Sequence, residues 1–194
     1  MSFLYLAPEH GVEAAVLDVV EACLSVTFGL PIRRLAPFAH PSDAYDPRRH
    51  QYASTEILRM LKEHLPPDAL RMLGIVDRDI FIPMLTFVFG QAQLGGAIAL
   101  VSLTRLRQEC YGLPPDPGLF LDRACTEAVH EVGHTFGLVH CHDAECAMSL
   151  STSIEHVDAK AASLCPSCRR LLRDSIGDQG LRHGRPGEVE EGRG

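Results

Sequence analysis

The chain has 194 residues, of which 46% are apolar and 22% charged, and its formal net charge is −7. That length suits one globular domain with a sizeable core, and the acidic balance argues against a nucleic-acid partner, which would need a basic surface. The opening M-S-F-L-Y-L-A-P-E-H lacks the basic start and long apolar core of a secretory signal, and no stretch is apolar enough to span a bilayer, so a cytoplasmic protein without a membrane partner is expected.

Residues 2–7 read as a short apolar strand, and residues 12–28 carry apolar side chains at helical spacing. Ile32–Phe38 reads as a second strand, followed by a polar, proline-punctuated loop over 39–53. Ser54 is placed to cap a helix that runs to about Leu65, where Pro66 and Pro67 stop it. Three strand candidates follow: Leu73–Asp77, Thr86–Gln91 and Ala97–Leu103. Gly95-Gly96 predicts a turn joining the last two as an antiparallel pair. Alternating strands and helices in the first half predict right-handed crossovers and a mostly parallel sheet. Asp116-Pro117 suits the start of a helix that runs through His134 and stops at Gly137, where glycine can turn the chain back. Regular structure is expected to be thin from there to Cys165, and residues 166–176 read as a last helix. The expected fold is a single α/β (α+β) domain over 1–177. An upper sheet and helix part spans 1–137, a lower part spans 138–177, and a flexible tail spans 178–194.

The chemistry concentrates in H-E-V-G-H-T-F-G-L-V-H over residues 130–140. His130 and His134 are one turn apart on one helix face, so both imidazoles can reach one metal. Glu131 lies about 100° round the helix, beside such a metal without ligating it, where it can accept a proton from zinc-bound water. After the turn at Gly137, His140 can approach as a third ligand. Three histidines leave one position open, as catalytic zinc sites do. A lone H-E-x-x-H is ambiguous; Gly137 and His140 at these offsets make the zinc reading specific.

Of the seven cysteines, Cys141, Cys146, Cys165 and Cys168 form two close pairs. A reducing compartment disfavours disulfides, and four thiolates in this pattern fit a closed structural zinc site. The rival reading of C-P-S-C as a redox pair is weakened by the polar loop before it and by the two further cysteines. Cys23, Cys110 and Cys125 are expected as core residues. His142 is expected to be a solvated loop residue, and His10, His40, His50, His64, His156 and His183 surface residues.

The motif with its three histidines and Met148 resembles the metzincin zinc peptidases. The combination H-E-x-x-H-x-x-G-x-x-H-C, then C-x-M, then C-x-x-C resembles the archaemetzincins in particular. Upstream V-F-G and A-L-V-S-L-T-R-L are similar to that family's sheet region. The resemblance implies a metzincin-like domain with a twisted mixed sheet, one antiparallel edge strand, an active-site helix and a small C-terminal part holding a structural zinc. It also implies Met148 in a tight turn beneath the histidines, and two zinc ions per chain, one catalytic and one structural. Some metzincins use a tyrosine after that turn as a further ligand; all four tyrosines here precede the motif, so none is assigned. The expected activity is hydrolysis of peptide bonds, as an endopeptidase or an aminopeptidase, by a monomer acting on a peptide or protein. Substrate would pair with the edge strand Thr86–Gln91, and the loop 149–164 would shape the pocket after the scissile bond. The alternative is a latent, zinc-stabilised peptide- or protein-binding module, which would have no need of Glu131.

Overall fold

A computed structural model describes residues 2–182. Strands β1 (Phe3–Pro8), β2 (Ile32–Arg34), β5 (Ala69–Val76), β7 (Gly90–Ala92) and β8 (Ile98–Ser102) form one sheet in the order β2-β1-β5-β8-β7. The first four in that order run parallel, and β7 is an antiparallel edge on β8. Parallel strands need crossovers. Helix α1 (Ala14–Phe28) makes the one between β1 and β2, and α2 (Ser54–Glu63) lies in the one between β2 and β5.

The period of two in each strand sorts side chains onto two faces. Leu4, Leu6, Leu73, Ile75, Ala99 and Val101 face α1 and the long helix α3 (Pro117–Thr135). Tyr5, Ala7, Met72, Val76, Ile98 and Leu100 face α2 through Ile57, Leu58 and Leu61. Buried on both sides, β5 and β8 read as the continuous apolar runs expected of parallel strands.

Several expectations shift. The 39–53 segment is not plain loop: β3 (Tyr45–Asp46) and β4 (Gln51–Ala53) lie within it and build a small sheet with β6 (Ile80–Phe81). Ser54 does not cap α2. Ala53 holds the cap position, and the buried Ser54 hydroxyl lies 2.9 Å from Phe81 O and 2.6 Å from Gln91 Oε1, its single proton serving one of the two. The edge strand is Gly90–Ala92 rather than Thr86–Gln91, because Val88 N–H turns to Ile80 O. A short helix α4 (Ile154–Asp158) interrupts the lower part, and α5 runs Pro166–Arg182, past the expected end at Ile176 and through the start of the expected tail. Residues 183–194, with His183, lie outside the described residues.

Candidate active site

Helix α3 carries the motif. Asp116 caps it, its carboxylate accepting Leu119 N–H at 3.0 Å, and Pro117 fills the first helical position. Gly137 takes φ 86°, the left-handed turn that sends the chain back toward the helix. That return places His140 beside His130 and His134, with ring centroids 5.4 and 5.0 Å away. One ligand atom from each of the three histidines lies within 4.8 Å of the others.

The hydrogen bonds of the rings fix their chemistry. His130 Nδ1 faces Ala147 O at 2.8 Å, and His134 Nδ1 faces Leu138 O at 2.7 Å. A carbonyl only accepts, so both Nδ1 atoms carry the proton and both neutral rings present a bare Nε2. Those two Nε2 atoms stand 3.0 Å apart. Two facing lone pairs at that separation repel unless a cation sits between them. Burial holds all three imidazoles below their ordinary pKa, with the Lys160 ammonium adding to the effect. The site therefore offers neutral nitrogen donors at neutral pH, the set that suits zinc.

Glu131 is buried on the same helix. Burial pushes its carboxyl well above the ordinary value, Glu127 adds to the rise, and Lys160 opposes it. Gly90 of β7 makes room for this carboxylate: a Cβ there would lie 2.5 Å from Glu131 Oε1. Met148 is fully buried against Gly133 of the motif, and its carbonyl accepts Cys141 N–H at 2.9 Å. The turn before it supplies Ala147 O to His130, so the methionine segment positions a ligand ring through its backbone.

The four cysteines Cys141, Cys146, Cys165 and Cys168 form a second group, with sulfurs within 4.8 Å of one another. Cys141 Sγ and Cys165 Sγ are 3.8 Å apart. A disulfide would need about 2 Å, whereas a tetrahedron with zinc–sulfur arms of about 2.3 Å has edges near 3.8 Å. Backbone N–H groups point at the sulfurs: Cys165 N to Cys146 Sγ at 3.3 Å, and Cys168 N to Cys165 Sγ at 3.5 Å. The Cys168 amide at the start of α5 draws the Cys165 thiol down to about 7. Of the other cysteines, Cys125 is buried, Cys23 half-buried and Cys110 exposed, so Cys110 departs from the expected core position. His10, His50, His64, His142 and His156 are exposed, while His40 is half-buried and bonded to Glu9 at 2.7 Å.

A cleft of about 490 Å³ runs between the β7 edge and the lower part, with His130, Glu131, His134 and His140 along it. Two features there escaped the sequence reading. Glu127 lines the cleft one turn before Glu131 and forms a buried ion pair with Lys160 at 2.7 Å, while Lys160 also donates to Ser149 O. Helical spacing could have flagged Glu127, since 127, 130, 131 and 134 share a face. No local signal marks Lys160, which arrives from a distant segment.

The family model of peptidase family M54 matches residues 15–174. The archaemetzincin of Methanocaldococcus jannaschii is 46% identical over 169 residues, covering 87% of this chain and 92% of its own. The archaemetzincin of Pyrococcus furiosus is 39% identical over 153 residues, covering 77% and 80%. Among solved structures, the archaemetzincin of Methanopyrus kandleri superposes with a TM-score of 0.78 at 36% identity, covering 91% of this chain and 96% of that one. A protein of Methanocorpusculum labreanum described as a zinc-dependent peptidase gives a TM-score of 0.78 at 28% identity, covering 87% and 99%.

Proposed function

The chain belongs to peptidase family M54, and from that membership we propose that it is a zinc-dependent peptidase whose catalytic metal is held by His130, His134 and His140. The observation that carries this reading is the pair of bare Nε2 atoms 3.0 Å apart, each fixed in its tautomer by a backbone carbonyl behind it. Held by His130, His134 and His140, zinc would supply Lewis acidity toward a peptide carbonyl and a water molecule.

The remaining work falls to the chain. Glu131 receives the proton of the attacking water on its carboxylate and returns it to the leaving amide nitrogen. Its buried setting raises its proton affinity, which suits a group that must hold a proton between two steps. Substrate lies extended along β7. Phe89 O and Gln93 N are taken by Ser102 and Ile98, so the antiparallel alternation turns the N–H and C=O of Gly90 and Ala92 to the free edge. Those groups align a substrate strand over Glu131 and the histidines by strand addition. Cys141, Cys146, Cys165 and Cys168 hold a second, structural zinc that braces the segment from His140 to Met148. Met148 itself packs beneath the histidines and ligates nothing.

The test is a zinc-loaded sample incubated with a mixture of unstructured peptides, beside a Glu131→Ala variant. The parent is expected to cut, and the variant to lose about 10²–10⁴-fold in rate at unchanged metal content. A variant as fast as the parent would remove Glu131 from the reaction. Silence from both would favour the alternative, a zinc-stabilised binding module.

A further inference from the structure

Ten large apolar side chains are exposed among the described residues, and four of them line the candidate active-site cleft: Leu85 (51%), Leu94 (63%), Val139 (62%) and Leu150 (53%). Scattered exposed apolar residues need no explanation, but several gathered at one functional cleft do. Their placement follows from the contacts around them. Leu94 adjoins Gly95, whose N–H donates to His134 O, and Val139 adjoins Leu138, whose carbonyl accepts from His134. These two residues, one from each wall, stand at the His134 end. Leu150 adjoins Ser149, whose carbonyl accepts from Lys160, the partner of Glu127. Leu85 precedes Gly90, which packs on Glu131. Leu150 thus stands toward the Glu127 end of one wall, and Leu85 adds apolar surface to the wall of β7.

We propose that the cleft selects extended internal segments carrying large apolar side chains on both sides of the cleaved bond, so that the protein is an endopeptidase; this rests on the zinc-peptidase reading above. Apolar side chains toward both ends of the histidine row, Leu94 and Val139 at one and Leu150 at the other, remove substrate side chains from water on either side of the reacting bond. The wall opposite β7 adds a main-chain contact. Ser151 Oγ is buried in the cleft with no hydrogen-bond partner among the described residues, and a buried hydroxyl is stabilised by acquiring one. An extended segment lying between β7 and Ser151 supplies it from its backbone. An aminopeptidase needs a carboxylate free to hold a substrate ammonium. The two carboxylates that line the cleft are committed, Glu131 to proton transfer and Glu127 to Lys160 at 2.7 Å.

The experiment has a binding arm and a cleavage arm. Binding is read by fluorescence anisotropy on zinc-loaded Glu131→Gln. The probes are N-acetylated, C-amidated decapeptides with leucine, serine or aspartate on both sides of the central bond. The leucine peptide is expected to bind at least about tenfold tighter than the others. Leu94→Asp and Leu150→Asp should each erase the preference on one side only, when peptides carrying leucine on a single side are compared. For cleavage, the zinc-loaded parent is given a proteome-derived peptide mixture in two preparations, one with blocked and one with free N-termini. Internal cuts enriched in apolar residues on both sides are expected. Equal affinity for the three capped peptides, cuts without apolar enrichment, or cuts confined to free N-termini would each overturn the proposal. A binding preference for leucine with no cleavage of any peptide would instead sink the peptidase reading and leave the selectivity of the cleft standing.

Discussion

At the scale of single residues, the site depends on what is left out as much as on what is present. Gly90 has no side chain, and that vacant volume is where the Glu131 carboxylate sits. A methyl group there would press on the far end of a flexible side chain, which can move aside without disturbing the fold. Gly90→Ala is therefore expected to stay folded, with a melting temperature close to the parent's, yet to lose up to about 10²-fold in kcat as the carboxylate is displaced. Thermal melts and kcat measured on the same sample check this. An unchanged kcat would show that Glu131 tolerates the crowding, and a large fall in melting temperature would show that the backbone moved instead.

Electrostatics at this scale explains why Glu127 and Lys160 go together. Their side chains are 3% and 0% exposed. A buried charge of either sign alone is expensive, and the pair is retained because neither partner can be left uncompensated. The pair also ties the segment after Met148 to α3, so a residue with no expected role in the chemistry helps to place both the cleft wall and the motif helix.

At the scale of elements, α3 and the segment from His140 to Met148 form one unit. The helix supplies two rings, and the segment supplies the third ring and the carbonyl that orients His130. That segment has almost no regular structure, so something else must hold it. The four-cysteine group joins it to the start of α5, with Cys141 directly after His140. Cys165→Ser is expected to lower the melting temperature by several degrees and to reduce zinc occupancy at the three histidines, although Cys165 touches none of them. Metal analysis together with calorimetry tests it; full catalytic-site occupancy at a normal melting temperature would mean that the cysteines do not brace the site.

For the whole molecule, the graded burial of the histidine row, from buried His130 to exposed His140, has a consequence for pH. A metal binds the neutral imidazole, so protons compete only below the ring's own pKa. The three rings sit below the ordinary value of 6.5, burial being the main cause. A depressed histidine pKa keeps the ring neutral further into the acid, so metal affinity should hold as pH falls through 6.5 and fail only lower. Cobalt substitution reads this directly, because the histidine site gives d–d bands without thiolate charge transfer. Loss of those bands centred on 6.5 would contradict the depressed values.

Much of this molecule is legible in its sequence because the relevant signals are local. Apolar periodicity marks β1, α1, β5 and β8; Asp116-Pro117 and Gly137 mark the ends of the motif segment; helical spacing puts His130, Glu131 and His134 on one face. The cysteine pairs and the motif offsets point to zinc from ligand type and count alone. What the sequence could not place depends on long-range partners. The edge strand shifts to Gly90–Ala92 because Val88 is drawn to Ile80, and Ser54 leaves its capping role because Phe81 and Gln91 offer its buried hydroxyl better partners. The short β3, β4 and β6 have too little sequence pattern to declare themselves and form because they pair with one another. The candidate donor side chains, three histidines and four cysteines, were thus legible in the sequence from donor type and spacing, and the structure brings each set together. The tautomer of His130, the buried ion pair and the gathering of apolar side chains along the cleft were decided only by the tertiary structure, because each joins segments distant in the chain.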